Sequence, residues 1–409
     1  MNTKSVTHNL PLEVKFCSKC TMNNQRPVSS IEFKHARNES KKTLVIGADS
    51  VCDACKYAEM KKEIDWDERR EELAALCDRF RRTDGRYDVV VPGSGGKDSV
   101  MAANVLKNEF RMNPILITWP PALYTEIGRE NFHRWLDAGF ANYTYNQNRK
   151  LHRFLTKSAF LNLGHPFQPF ILGQKNLAPR FSCMMDIPLV IYGENEAEYG
   201  NSIEDNFKSS RSQSYFASNE VKLEELILGG IPADELIKKY GFSLADLEAY
   251  FPVNCADMER VGTEVHYLGY FLKWHPQNTY YYSVENTGFQ PNSERTEGSY
   301  SKYSSLDDKI DWLHYHTTMI KFGIGRATYD SSQEIRNGDI TREEGIALVK
   351  RFDGEYPQKY LKDCCEYMGI SVEEYCEVIE EFRSAHLWRQ NGNKWELRYP
   401  IWSDFGTRS

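Results

Sequence analysis

The amino-acid sequence predicts an α/β protein built on a doubly wound parallel sheet. Short apolar runs, such as residues 89–91 and 114–119, alternate with longer helical patterns through much of the chain. This alternation favours parallel strands, because each helix returns the chain to the same end of the sheet. Two further features complete the predicted architecture: a glycine-rich loop after the first strand and two cysteine pairs near the N-terminus.

The chain has 409 residues, which is enough for two or three domains. We expect a cysteine module in residues 1–64, the sheet domain in 65–285 and a mainly helical region in 286–409. The formal net charge of −7 argues against a general nucleic-acid-binding surface. We see neither an apolar run of about 18 residues nor a secretory signal, so we expect a cytoplasmic protein without a membrane span.

The two cysteine pairs have the CxxC spacing of metal ligands. Their members are Cys17, Cys20, Cys52 and Cys55. Four thiolates suit one tetrahedral ion, and we expect structural Zn²⁺ in a ribbon-like module with strands near 31–33 and 43–46. An iron–sulfur cluster is the alternative. So small a module buries little apolar surface, so metal binding would supply its folding energy.

The glycine-rich loop reads Gly-Ser-Gly-Gly-Lys-Asp-Ser over residues 93–99 and leads into a predicted helix at 100–110. Glycines let the backbone approach an anion, and the free N–H groups of a helix start point at it. Lys97 adds positive charge, and the Ser94 and Ser99 hydroxyls add donors. Asp98 stands where a Walker A loop needs Ser or Thr, so this is a different phosphate loop. An ordinary glycine turn is the alternative.

Other polar residues follow the predicted strands, where ligands bind in such sheets. We expect Thr118, Tyr124 and Thr125 to contact ligands there, and Glu194 with Asn195 to lie at the same edge. Glu194 is a candidate for binding Mg²⁺ or for polarising a nucleophile. A solvated loop is the alternative for Tyr124 and Thr125.

Four cations complete the predicted site. Lys175 and Arg180 lie in a segment punctuated by glycine and proline, and could bind phosphates or acidic groups of a substrate. Lys321 and Arg326 flank a Phe-Gly-Ile-Gly segment and could clamp phosphate groups. Surface charges, and a helix C-cap at the second pair, are the alternatives.

Residues 94–99 resemble the PP-loop of the ATP pyrophosphatase superfamily. Together with the cysteine pairs and residues 117–128, 191–195 and 321–328, they are similar to the N-acetyl sugar amidotransferases of surface-polysaccharide and O-antigen synthesis. The resemblance implies a fold like that of the adenine-nucleotide α-hydrolases. It also implies that ATP and Mg²⁺ serve to convert an acetamido group of a UDP-diacetamido uronic acid into an acetamidino group, with release of AMP and pyrophosphate.

This resemblance assigns roles to the motif residues. It implies ATP binding by Ser94, Gly95, Gly96, Lys97, Asp98, Ser99 and Thr118. The expected catalytic residues are Lys97, Asp98, Glu194, Lys321 and Arg326. The expected substrate-binding residues are Tyr124, Thr125, Lys175, Arg180 and Asn195.

The sequence lacks the cysteine context of a glutaminase, since residue 2 is Asn and no cysteine lies in a nucleophile elbow. The resemblance therefore implies that a separate glutaminase, with a cyclase-like barrel subunit, supplies ammonia. A tRNA-thiolating PP-loop enzyme is the main alternative, and it would need a basic RNA-binding surface. A non-catalytic subunit of an assembly is the third interpretation.

Overall fold

The computed structural model describes residues 8–28, 42–194 and 208–403. Five parallel strands form the central sheet in the order β3-β2-β1-β4-β9, which confirms the predicted doubly wound fold. The strands are β1 Val89–Pro92, β2 Pro114–Thr118, β3 Asn142–Thr144, β4 Leu189–Tyr192, β5 Ala217–Ser218, β6 Ile227–Leu228, β7 Ile231–Pro232, β8 Val253–Asn254, β9 Glu264–Tyr267, β10 Trp388–Asn391 and β11 Lys394–Leu397.

Helices cover both faces of this sheet and form most of the C-terminal region. They are α1 Asp53–Met60, α2 Trp66–Phe80, α3 Lys97–Asn108, α4 Glu126–Asp137, α5 Arg149–Leu163, α6 Gln168–Met185, α7 Ala233–Lys238, α8 Leu244–Leu247, α9 Cys255–Val261, α10 Leu268–Phe271, α11 Pro276–Thr287, α12 Lys309–Phe322, α13 Arg326–Asn337, α14 Arg342–Phe352, α15 Gln358–Met368 and α16 Val372–Phe382. Within the described residues, none is both long and apolar enough to cross a bilayer.

Successive residues of β1 point into two separate cores. Val90 belongs to a core with residues of α5 and α6, whereas Val89 and Val91 belong to a core with residues of α2 and α3. All three valines are fully buried. A parallel strand covered on both faces needs such a continuous apolar run, and this explains why residues 89–91 show no polar alternation.

The strand order reverses direction at β1, which pairs with β2 on one side and β4 on the other. The crevice at this switch point, beyond the carboxyl ends of the strands, is where ligands bind in doubly wound sheets. Gly193 follows β4 here and lies against the start of α3. A Cβ at Gly193 would stand 2.2 Å from the carbonyl oxygen of Asp98, so the two loops touch through bare backbone.

Two long helices on one face of the sheet were not predicted. Helix α5 begins at an Asn148 cap and ends at Gly164, whose φ is +57°. Helix α6 contains Gly173 and Pro179, which suggested an irregular segment. Gly173 is required by packing, since a Cβ there would lie 2.2 Å from the Trp119 ring.

Residues 234–250 have a helical pattern in the sequence but do not form one continuous helix. The segment is divided into α7, α8 and a 3₁₀ turn at Glu248–Tyr250. Gly241, at a φ of +73°, lies in the break between α7 and α8. The left-handed backbone at this glycine cannot continue a right-handed helix.

The N-terminal module differs from the predicted ribbon. Residues 43 and 46 make only isolated bridges, to Pro27 and Cys52, and the expected strand at 31–33 lies outside the described residues. The C-terminal region is mainly helical as predicted, with the hairpin β10–β11 near its end. The division at 64/65 and 285/286 stays a prediction, and α11 runs through the second boundary.

Gly193→Ala should destabilise the protein, because its Cβ would displace the backbone at Asp98. We expect the free energy of unfolding to fall by about 1–3 kcal/mol, the usual effect of overpacking. Urea denaturation measures this change. Gly96→Ala in the neighbouring loop is the control, since nothing lies within 4 Å of a Cβ there. Equal destabilisation by both variants would contradict close packing of the two loops.

Candidate functional site

The phosphate loop has the backbone that its glycines predict. Gly95 adopts a φ of +94°, and a Cβ on it would lie 2.8 Å from the Phe132 Cα atom of α4. Gly96 is the N-cap of α3 and offers no side chain, so the N–H groups of the first turn face outward from the loop. The loop therefore combines a left-handed turn with an open helix N-terminus, as an anion cradle requires.

Side chains of the loop are held by partners far away in the sequence. The Ser94 hydroxyl donates to Asp307. Lys97 Nζ lies 2.6 Å from one carboxylate oxygen of Asp98, and the indole Nε1 of Trp274 donates to the other oxygen at 2.8 Å. Asp98 is thus fixed from two sides, and Lys97 is kept at the mouth of the loop.

A cleft of about 360 Å³ opens in front of this loop. Gly95, Gly96, Lys97 and Asp98 form one wall, and residues from the C-terminal region form the other. The C-terminal wall includes Asp307 and the α13 side chains of Arg326, Asp330 and Glu334. The predicted nucleotide loop therefore shares its cleft with Arg326, as the sequence suggested.

Arg326 is the first residue of α13 and is largely buried. Its Nε lies 3.1 Å from Asp330, an i,i+4 neighbour, and its guanidinium lies 4.5 Å from the centre of the Tyr315 ring. The N-terminus of α13 is capped by Asp353, which accepts from the Gly325 and Thr328 N–H groups at 3.0 and 3.2 Å. Arg326 is thereby positioned by a rigid helix and not by a flexible glycine segment.

Three acidic residues lie beside the cleft, of which Asp308 is buried and Asp307 and Asp311 are half-buried. Burial raises the pKa of Asp307, raises that of Asp308 to about 8 and raises that of Asp311 to about 6. Asp308 accepts from the N–H groups of Ala122 and Ile310 at 2.7 and 2.9 Å, so it joins the loop after β2 to the start of α12. These carboxyls fix the C-terminal region over the carboxyl edge of the sheet.

Two predicted ligand-binding residues support the site's backbone. Thr118 donates to the Gly93 carbonyl at 2.7 Å and ties β2 to the phosphate loop. Thr125 caps α4 by accepting from Gly128 N–H at 3.0 Å, and it donates to the Leu306 carbonyl. Tyr124 lies under the Arg129 guanidinium at 5.1 Å from the ring centre. Thr118 and Thr125 are both buried, and their hydroxyls bond to backbone atoms.

Three of the predicted cations lie outside the cleft lining given by the described residues. Lys321 is buried and donates to the Leu163 carbonyl at 2.6 Å, where it caps the end of α5. Arg180 donates to the Glu248 and Phe251 carbonyls. Lys175 Nζ lies 5.3 Å from the Tyr192 ring centre. The interpretation of Lys321 and Arg326 as one clamp was therefore wrong for Lys321.

Glu194 lies two residues beyond the end of β4, and its carbonyl accepts from Gly269 N–H at 3.4 Å. Asn195 lies outside the described residues. Sequence reasoning missed several lining residues, namely Arg26, Trp274, Tyr303 and Asp307. None of these four residues belongs to a local sequence motif. The only sequence feature that could have indicated one of them is the acidic pair 307–308, which directly precedes a helix.

The four predicted metal ligands do come together. Their sulfur atoms all lie within 4.8 Å of one another, and the Cys17–Cys55 and Cys20–Cys52 sulfurs are each 3.8 Å apart. Zn–S bonds of about 2.3 Å give a tetrahedron with edges of about 3.8 Å. Thiolates bound to separate irons of a cluster lie farther apart, so this spacing fits a single ion. The N–H groups of Lys19 and Cys52 approach Cys17 Sγ at 3.4 Å and would stabilise a thiolate.

The cysteine module packs directly on α13. The Thr21 hydroxyl lies 2.9 and 2.8 Å from the hydroxyls of Ser331 and Ser332. Arg342 donates to the carbonyls of Cys17 and Cys20 at 3.2 and 3.3 Å. Helix α13, which presents Arg326 to the cleft, therefore packs against the cysteine module on its other side.

The sheet order, the glycine-rich loop at the switch point and the cysteine cluster define a doubly wound α/β protein with a candidate anion site and a candidate metal site. Residues 297–400 match the family described as LPS biosynthesis protein WbpG-like, C-terminal domain. Residues 297–400 are thus similar to the C-terminal domain of a lipopolysaccharide biosynthesis protein. This match confirms the predicted resemblance for the C-terminal region.

Two further proteins show weaker likeness. An uncharacterized protein of Methanocaldococcus jannaschii is 26% identical over 80 residues, which are 20% of this chain and 28% of that protein. The U34-tRNA thiolase NcsA from Methanococcus maripaludis, solved with its 4Fe–4S cluster, is 12% identical. That match covers 78% of this chain and 89% of the thiolase, with a TM-score of 0.27.

Cys17→Ser should abolish stoichiometric metal binding, because one of the four sulfur ligands is lost. We also expect the N-terminal module to become sensitive to protease, since bound metal contributes its folding energy. Elemental analysis of the purified protein and limited proteolysis test both outcomes. Cys376→Ser is the control, since that thiol is exposed and outside the cluster. Full metal content in Cys17→Ser would contradict a four-cysteine site.

Asp308 should make stability depend on pH. Its pKa is raised from 3.8 to about 8, so between these values the folded state holds a proton that the unfolded state has released. The free energy of unfolding should therefore fall as pH rises through that range. Asp308→Asn should reduce the difference in the free energy of unfolding between about pH 5 and about pH 8, measured by urea denaturation at both pH values. Glu343→Gln, a substitution of an exposed residue, is the control and should leave this pH dependence unchanged. An unchanged pH dependence in Asp308→Asn would contradict a raised pKa for Asp308.

Proposed function

We propose that this protein is an ATP-dependent amidotransferase, an AMP-forming C–N ligase acting on a nucleotide-activated sugar. The observation that carries the proposal is the shared cleft, with Lys97 and Asp98 on one wall and Arg326 of the WbpG-like region on the other. A PP-loop supports ATP as one substrate. The relation of the facing region to lipopolysaccharide biosynthesis supports a sugar nucleotide, for which we propose a UDP-diacetamido uronic acid.

The proposed chemistry activates an unreactive amide. The oxygen of the acetamido group attacks the α-phosphorus of ATP, and the bond to pyrophosphate breaks. Ammonia then adds to the amide carbon, the C–O bond breaks, and AMP leaves with that oxygen. The product is an acetamidino group. These steps require positioning, charge neutralisation and exclusion of water, and no protein nucleophile.

Residues of the loop would hold the nucleotide. The N–H groups at Gly95 and Gly96 and the hydroxyls of Ser94 and Ser99 would bind the β- and γ-phosphates. Lys97, which lies at the mouth of the loop, would neutralise charge on the departing pyrophosphate. Thr118 would act by fixing the loop, through its bond to Gly93.

The opposite wall and the sheet edge would complete the site. Arg326 would neutralise charge from the C-terminal side. Asp98 and Asp307 are carboxylates that line the cleft beside the loop, a donor set that suits Mg²⁺. Bound Mg²⁺ would supply neutralisation of the phosphate charge. We keep Glu194 and Asn195 as candidates for contact with ammonia or substrate, because they follow β4 at the ligand edge.

We further propose that the four cysteines hold structural Zn²⁺, since their spacing fits one tetrahedral ion. Ammonia would come from a separate glutaminase acting with a cyclase-like barrel subunit in the cytoplasm. This partnership rests on the family resemblance. Free ammonium should replace these partners in the test tube.

The direct test incubates the protein with ATP, Mg²⁺, ammonium and a UDP-diacetamido uronic acid. We expect AMP, pyrophosphate and a sugar nucleotide lighter by the difference between O and NH, measured by chromatography and mass spectrometry. Omission of ammonium should stop formation of the amidine. Formation of ADP in place of AMP would contradict adenylylation.

Lys97→Gln should lower kcat/KM for ATP by about 10²–10³-fold, because a cation positioned at the reacting phosphates is lost. Turnover is measured as pyrophosphate release, and circular dichroism checks that the fold is retained. Lys150→Gln removes an exposed lysine and is the matched control. Wild-type turnover in Lys97→Gln would contradict the role of this loop.

A further inference from the structure

Arg26 brings the cysteine module into the cleft. This arginine is only 4% exposed, yet it lines the same cavity as Lys97 and Arg326. Its carbonyl accepts from Leu44 N–H at 2.8 Å, and Leu44 packs with the four cysteines. The position of Arg26 is therefore set by the fold around the metal ligands.

Arg26 and Arg326 are connected by a pair of tyrosines. The Arg26 guanidinium lies 5.0 Å from the centre of the Tyr329 ring, and that of Arg326 lies 4.5 Å from the Tyr315 ring. The two rings meet edge to face at 5.6 Å. Stacking uses the flat face of a guanidinium, so its N–H donors, which lie in the plane, can bind another group.

The acidic residues on this wall have partners of their own. Asp330 pairs with Arg326 and accepts from the Ser299 hydroxyl. Glu334 accepts from the Tyr300 hydroxyl at 2.7 Å, and burial raises its pKa. These bonds reduce the negative field that an incoming anion would meet.

We propose that Arg26 binds an anionic group, a carboxylate or a phosphate, of the second substrate at the side of the cleft opposite the phosphate loop. This inference rests on the proposed function for the identity of the cleft. A guanidinium matches carboxylate and phosphate oxygens in geometry, and burial excludes competing water. The metal module is then part of the substrate site and not only a folding element.

The module also touches the loop side of the cleft. Lys61, at the end of α1, donates to the Trp274 carbonyl at 3.0 Å and to the Asn337 side chain at 3.4 Å. Trp274 in turn holds Asp98. The fold around the metal ligands therefore sets the spacing between Arg26 and the loop that would bind ATP.

Calorimetric titration of the metal-loaded full chain tests the proposal with four probes. They are ATP, UDP-N-acetylglucosamine, UDP-N-acetylglucosaminuronic acid and free N-acetylglucosaminuronic acid. Arg26→Gln should weaken binding of the UDP-uronate by about 10–100-fold, the effect of losing a charged hydrogen bond, while ATP affinity stays within about twofold. Equal weakening for UDP-N-acetylglucosamine identifies the diphosphate as the anion. Weakening confined to the two uronates identifies the carboxylate.

Lys62→Gln, which removes an exposed cation of the same module, is the control and should leave all affinities unchanged. Elemental analysis and thermal unfolding establish that metal and fold are retained. If Arg26→Gln does not fold, Arg26→Lys keeps the charge but loses the paired donors, and a smaller loss of UDP-uronate affinity is expected.

Unchanged sugar-nucleotide affinity in the Arg26 variants, loss of ATP affinity alone, or no binding of any acidic sugar probe by the wild type would overturn the inference. Turnover of the wild type is scored separately. Absence of AMP formation with Arg26-dependent sugar binding would overturn the proposed function and leave the Arg26 site standing.

Discussion

The cleft depends on a short buried connection between the sheet and the C-terminal region at residues 306–308. Leu306 accepts from Thr125, Asp307 accepts from Ser94, and Asp308 accepts from the Ala122 N–H group. Buried hydrogen bonds of this kind are costly to break, because each lost partner leaves a desolvated polar group. The connection therefore holds the wall that carries Arg326 at a fixed place in front of the phosphate loop.

The second constraint is the bracing of α13. On its cleft side the helix carries Arg326, Asp330 and Glu334, and on its other side it packs against the cysteine module. The cysteine module thus helps to shape a surface that carries the proposed chemistry. The cysteine module, the C-terminal wall of the cleft and the phosphate loop form one connected framework, in which Trp274 links the module to Asp98.

Local features were predictable from the sequence. The phosphate loop, the strands near 89–91 and 187–192 and the four cysteines are each encoded in short segments whose geometry follows from residue type. Helix α5 was missed although Asn148 and Gly164 mark its ends. Helix α6 was missed because Gly173 and Pro179 disfavour a helix locally, and packing against Trp119 overrides that preference. Arg26 and Asp307 were missed because their roles arise from contacts with residues hundreds of positions away.

The contact between the cysteine module and α14 has a consequence for biosynthesis. Cys17 and Arg342 are 325 positions apart, so α14 is synthesised long after the first cysteine pair. At about 5–20 residues per second, that interval is on the order of tens of seconds. Throughout it, the first cysteine pair of the nascent chain lacks the wall that later covers it and is open to oxidants and to competing ions. Any ion that the first cysteine pair binds during synthesis is therefore bound before α14 can pack against the module.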